Sequence, residues 1–313
     1  MTQNAISKAK NILVLPGGGA TGIISARILQ SLEERAGLPT HQLFDEIWAS
    51  SVGSMLTAYL TVPSEANGIP LSAEAVVHLF RKKFAHPWAA WWSALTVCKQ
   101  IGRDVKMKDT AVPVKVLCAK VSHPRVWQGL YSGRLRTESI GFGSQTHGQT
   151  LLAEVVRASV AVYPFLQPQK LRDESIDQEF YAIDAGCGVC SQPTLDPVPY
   201  FLGQLLSEQD GEGRVRIHFL SNGWARADFP GLQRNGSYQR LTLVKNIELL
   251  NFDVNLEHML SRLGTGARSR QICANWVGSG FASISALEQK GFESSELDNS
   301  KFLDQVVTDL LRG

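Results

Sequence analysis

Apolar and polar positions follow two rhythms along this chain. Ile12-Leu13-Val14-Leu15 is an unbroken apolar run closed by Pro16-Gly17. It predicts a strand over 11–15, buried on both faces as in a parallel sheet. Ile23, Ile24, Ile28, Leu29 and Leu32 then recur at helical spacing, with Glu33, Glu34 and Arg35 closing the pattern. This predicts a helix over 20–36, stopped by Gly37 and Pro39. A strand at 43–49 and a helix at 52–62 follow. Further strands are predicted at 112–120, 178–183 and 214–220, and further helices at 72–84 and 150–162. The tail over 252–312 reads mainly as helices, broken near 264–266 and 278–280. Loops are expected at 63–70, 141–149, 191–198, 207–213 and 221–238. Alternating strands and helices predict an α/β protein with a mostly parallel central sheet.

Composition narrows the class. With 313 residues and 44% hydrophobic content, the chain can bury a large core, and it is read as one domain over 1–313. A formal net charge of +2 offers no field for nucleic acid. The cysteines, Cys98, Cys118, Cys187, Cys190 and Cys273, are odd in number and scattered. They argue against a disulfide framework and for a reducing compartment. The start of the chain is polar, and the run at 12–15 is too short for a signal-peptide core. The longest weakly charged apolar window, 87–98, is short of a membrane span. A cytoplasmic protein touching membranes at most peripherally is expected; export without a cleaved signal is equally consistent.

The candidate chemistry lies at the ends of the predicted strands. Ala49-Ser50-Ser51-Val52-Gly53 has the form small-x-Ser-x-Gly between a strand and a helix. That is the pattern of a nucleophile elbow, which presents a serine Oγ on a strained turn. Gly17-Gly18-Gly19, after the first strand, can aim bare backbone N–H groups at a developing negative charge. A serine needs a base, and Asp184 in Tyr181-Ala182-Ile183-Asp184-Ala185-Gly186 stands at a strand end, where α/β sheets gather their sites. Other readings compete. Gly17, Gly19 and Gly22 meet dinucleotide-loop spacing, but no carboxylate ends the second strand. His218 or His258 would complete a Ser-Asp-His order. Cys187-x-x-Cys190 reads as a packed thiol pair before a redox or metal pair. Trp88, Trp91 and Trp92, just after Arg81-Lys82-Lys83, read either as core aromatics or as an acyl-chain pocket or interfacial lid.

Four blocks, in order, are similar to those of the patatin-like phospholipases. They are Gly17-Gly18-Gly19-Ala20-Thr21-Gly22, Ala49-Ser50-Ser51-Val52-Gly53, Arg157-Ala158-Ser159-Val160-Ala161-Val162-Tyr163-Pro164-Phe165, and Asp184-Ala185-Gly186. The blocks lie within 11–186, while 190–313 is divergent and more helical. The resemblance implies a three-layer α/β fold and hydrolysis of glycerophospholipid acyl esters at a membrane surface. It implies catalysis by a Ser51–Asp184 dyad and an oxyanion hole at Gly17, Gly18 and Gly19. It implies no cofactor and no metal. Pro16 and Thr21 stand where the family usually has aspartate and arginine. That departure motivates a binding protein with an impaired site, while the family's bacterial members imply a site gated by a protein or small-molecule activator in signalling or virulence, with 190–313 carrying the control.

Overall fold

The computed structural model describes residues 9–64, 68–83, 101–122, 136–163, 166–173, 178–187, 215–220, 247–250 and 300–312. It also describes Pro197, Tyr200, Phe201, Gln204, Leu205, Ser285, Glu288, Gln289 and 292–298. In chain order the elements that frame the site are β1 (Lys10–Leu15), α1 (Gly22–Ala36), α2 (Thr40–Leu43), β2 (Glu46–Ser50), α3 (Val52–Thr61) and α4 (Ala73–Lys83). Then come β3 (Val114–Val121), β4 (Thr137–Gly143), α5 (Leu152–Ser159), β5 (Gln169–Asp173), β6 (Gln178–Ile183), β7 (Val215–Phe219), β8 (Ile247–Leu250) and α6 (Ser300–Arg312).

These strands form one eight-stranded sheet in the order β5-β6-β3-β2-β1-β7-β8, with β4 also on β3. The β1–β2, β2–β3, β1–β7 and β7–β8 pairs are parallel. The β3–β4, β3–β6 and β5–β6 pairs are antiparallel. In the parallel half, β1, β2, β3 and β7 are strands that the sequence predicts, and β8 is not. Its central strands β1 and β2 are buried on both faces: β2 has no exposed residue, and β1 has only Lys10 partly exposed. Leu13, Leu15, Ile47, Ala49, Val114 and Val116 join the core built with α1, α3, α4 and α5. Alternate residues such as Trp48 face the other way, where Trp48 and Phe201 lie with ring centroids 5.7 Å apart. α6 rests on α1, and its Leu303, Val306, Val307 and Leu310 belong to the same core as Leu13.

Several boundaries differ from the sequence expectation, each for a local reason. The helix expected from residue 20 opens with a 3-10 turn at Gly19–Thr21 before α1 begins. It ends at Gly37, whose φ of 65° closes the helix in the left-handed region. The strand expected from residue 43 starts at Glu46, because Thr40–Leu43 makes a single helical turn. The loop expected at 141–149 begins inside β4, and β5 and β8 had no counterpart in the sequence pattern. The breaks at 264–266 and 278–280 lie outside the described residues.

Candidate active site

The register of β3 brings the two halves of the site together. β2 pairs with the first half of β3, ending at Ser50 opposite Leu117. β6 approaches the same edge from the opposite direction, ending at Ile183 opposite Ala119. Two strand ends therefore meet head-on at the level of Cys118. Ser51 follows one end and Asp184 the other. A separation of more than a hundred residues in sequence is closed by one strand's hydrogen-bonding edge.

Ser51 has φ 47° and ψ −127° and is the one non-glycine residue with positive φ among the described residues. A strained turn of this kind persists only where its surroundings hold it. Three contacts do so. Gly53 packs against β1 so closely that a Cβ there would stand 1.9 Å from the Leu15 carbonyl oxygen. The Ser54 N–H donates to the Ser51 carbonyl at 2.9 Å. The Ser51 N–H donates to Ser159 Oγ at 2.8 Å, and Ser159 Oγ donates to the Leu117 carbonyl at 2.8 Å. The serine stands at the N-terminus of α3, whose positive end favours negative charge beside it.

Asp184 is 1% exposed. Its N–H donates to the Ala161 carbonyl at 3.1 Å, and its Oδ1 accepts the Gly186 N–H at 2.8 Å. Burial raises its pKa to about 6, against the opposing pull of the Ser51 hydroxyl and of the Gly186 N–H. The group is thus a carboxylate at neutral pH with more basicity than an ordinary aspartate. Cys118 is no rival nucleophile: burial, with Asp184 adding to it, pushes its thiol far above the usual range.

The glycine loop lies beside the elbow and is tied to it. Ser50 Oγ accepts the Gly17 N–H at 3.0 Å, so that donor is already engaged. Gly18 and Gly19 have φ 149° and 60°, conformations that suit glycine. Thr21, in place of the family's usual arginine, donates its hydroxyl to the Gly18 carbonyl at 2.8 Å and its N–H at 3.3 Å. The peptide joining Gly18 to Gly19 is therefore fixed through its carbonyl, and its N–H points the opposite way.

The remaining sequence candidates fall elsewhere. His218 Nε2 lies 3.2 Å from Asn11 Oδ1, and its ring meets Phe44 edge-on. Those partners sit at the start of β1 and just before β2, at the opposite end of the strands from Ser51. Burial pushes its pKa down to about 3, which keeps it neutral. Cys187 is buried and donates to the Tyr163 carbonyl at 3.3 Å. Arg81 pairs with Glu288. Cys190, His258, Trp88, Trp91 and Trp92 lie outside the described residues, as does the Lys83 side chain. Among the described residues no group of three or more His, Cys, Asp or Glu side chains could hold a metal ion, and no helix is long and apolar enough to cross a membrane. Sequence reasoning gave no role to Ser50, Thr21 or Ser159. Ser159 stood inside a recognised block, which was the one signal available for it.

The model of the patatin-like phospholipase family matches residues 13–199, more than half of the chain. The chain belongs to that family. It is 27% identical over 190 residues to a cUMP-AMP-activated phospholipase of Escherichia coli, covering 59% of this chain and 56% of that protein. It is 27% identical over 284 residues to patatin-like protein 1 of Arabidopsis thaliana, covering 83% of this chain and 59% of the relative. A third relative, probable inactive patatin-like protein 9 of the same plant, is 25% identical over 342 residues, covering 98% and 85%. The chain thus spans little more than half the length of the first two.

Proposed function

We propose that the chain is a lipid acyl hydrolase, a phospholipase A-type serine esterase acting on glycerophospholipid acyl esters. The observation that carries this reading is the strained Ser51 at the strand end that meets the end delivering the buried Asp184. In the proposed cycle Asp184 takes the Ser51 proton as Oγ bonds to the ester carbonyl carbon. The Gly18 and Gly19 N–H groups hold the oxyanion; one such donor typically lowers the barrier by about 3 kcal/mol. Collapse breaks the ester C–O bond, and Asp184 returns its proton to the departing lysophospholipid oxygen. Water then attacks the acyl-enzyme and gives a proton to Asp184. Release of the fatty acid returns that proton to Ser51. No metal or organic cofactor enters the cycle. Trp88, Trp91 and Trp92 are assigned to the acyl chain at the membrane surface.

The test is fatty-acid release from glycerophospholipid vesicles. Ser51→Ala and Asp184→Asn are each expected to lower the rate by at least about a thousandfold. Hydrolysis that survives both substitutions would remove the dyad from the mechanism. A gated form of the same activity is favoured by one observation, that a relative is a phospholipase activated by cUMP-AMP. In that form the vesicle assay is silent until the activator is added, so it is run with and without cUMP-AMP.

A further inference from the structure

The β2–β3 ladder has a rung with a foreign group in it. The Ile47 N–H donates to the Pro113 carbonyl at 3.0 Å, which sets the phase of this parallel pair. Successive donors on β2 are two residues apart, as are their acceptors on β3. Counting forward from Ile47 and Pro113, the donor two rungs on is Ser51 N–H and its acceptor is the Leu117 carbonyl. That direct bond is replaced. Ser159 Oγ, at the last residue of α5 and 0% exposed, accepts from Ser51 N–H and donates to the Leu117 oxygen, each at 2.8 Å. The hydroxyl both gives and receives, so the ladder stays satisfied while its two strands stand apart by one oxygen atom. The interruption falls where β6 arrives on the same edge of β3 and delivers Asp184.

We infer that Ser159 is a positioning residue: its hydroxyl is a spacer in the sheet that holds Ser51 out of the β2 ladder and in line with Asp184. This rests on the proposed Ser51–Asp184 chemistry, but the spacer itself is a property of the backbone. An unbroken rung would draw the Ser51 backbone into the extended conformation of a strand and abolish the elbow. A Ser51 N–H with no acceptor would leave a buried donor unsatisfied. The hydroxyl avoids both, and Ala, Val or Gly at this position could not.

The experiment compares Ser159→Ala with Thr61→Ala in the full chain. Thr61 is a matched control: it is equally buried and hydroxyl-bonded, donating to the Thr57 carbonyl at 2.7 Å at the far end of α3. Ser159→Ala is expected to lower kcat and the rate of fluorophosphonate labelling by about 10- to 100-fold, the cost of one lost buried hydrogen-bond partner. KM should stay within about twofold, since no contact to substrate is removed. The acid limb of the pH profile should move to higher pH, because a misaligned Ser51 hydroxyl no longer steadies the Asp184 carboxylate. Thr61→Ala should change melting temperature but none of these. Where the wild type is active, equal behaviour of the two variants would overturn the inference. Amide hydrogen exchange at Ser51 separates this idea from the catalytic one. Protection in the wild type that falls at least about tenfold in Ser159→Ala supports the spacer even in a protein that hydrolyses nothing. Unchanged protection refutes it even in an active enzyme.

Discussion

Gly53 carries a hydrogen where any side chain would put carbon against the backbone of β1. The collision is with the Leu15 carbonyl at 1.9 Å and the Pro16 oxygen at 3.0 Å, neither of which can rotate aside. Gly53→Ala is therefore expected to destabilise the fold by more than about 3 kcal/mol, read as a fall in urea midpoint or a loss of soluble protein. The requirement for glycine here was legible in the motif, because an elbow needs a small residue where the turn crosses its strand. Ser51 and Asp184 were legible as candidates for the same reason, standing at strand ends beside small residues. Ser159 was not, because its hydroxyl reaches a residue 108 positions away and no local pattern announces such a contact. The Asp184 carboxyl also makes a prediction about rate. With its pKa raised to about 6, kcat/KM on a neutral ester should rise with pH through an inflection near 6 and level above it. An inflection near 4 would mean that the base is a solvated carboxylate elsewhere.

At the scale of elements, the sequence revealed the doubly buried β1 and β2, and also β3, β6 and β7. Those it concealed are β4, β5 and β8. Thr137-Glu138-Ser139-Ile140-Gly141-Phe142-Gly143 lacks a continuous apolar run and holds two glycines, so it reads as a loop. Gly141 belongs in the strand because the rings of Phe201 and Tyr200 lie on it; a Cβ there would be 2.3 and 2.5 Å from them. That reason is tertiary and invisible locally. β5 is an edge strand in which Leu171 is buried while Lys170 and Arg172 are exposed, too polar for the apolar pattern to register. The packing of α6 on α1 was likewise hidden. Arg35 on α1 reaches Glu296 at 2.8 Å, Ser300 Oγ at 2.9 Å, and also Asp304. Leu303 contributes an apolar contact with 0% exposure. The two contacts should respond differently to salt. Arg35→Ala is expected to cost about 1–2 kcal/mol, part of which disappears in 1 M salt as charge is screened. Leu303→Ala should cost about 2–4 kcal/mol at either ionic strength. Denaturant titrations at both salt concentrations check the pair.

Across the whole molecule, two buried groups tilt stability with pH in opposite directions. Asp184 has a folded-state pKa of about 6 against an ordinary 3.8. Its proton is held more tightly in the fold, so its contribution is fully present below pH 3.8 and is lost as pH rises through 6. His218, at about 3 against an ordinary 6.5, does the reverse. Its contribution is present above 6.5 and is lost as pH falls toward 3. The Asp184 gap corresponds to about 3 kcal/mol, a stability the fold gives up at neutral pH by keeping a charged carboxylate buried beside Ser51. Asp184→Asn should therefore be more stable than the wild type at pH 8, with the advantage fading at pH 3.5, while activity is lost throughout. Melting curves at the two pH values check this. A variant that is less stable at pH 8 would make Asp184 a structural residue.

The central claim is that Ser51 is an activated nucleophile. The most direct test is labelling with a fluorophosphonate probe, read by intact mass, on the wild type and on Ser51→Ala, each with vesicles and with cUMP-AMP present. One adduct per chain on the wild type and none on Ser51→Ala is the predicted result. An adduct that persists in Ser51→Ala, or a wild type that stays unlabelled in every condition, would contradict it.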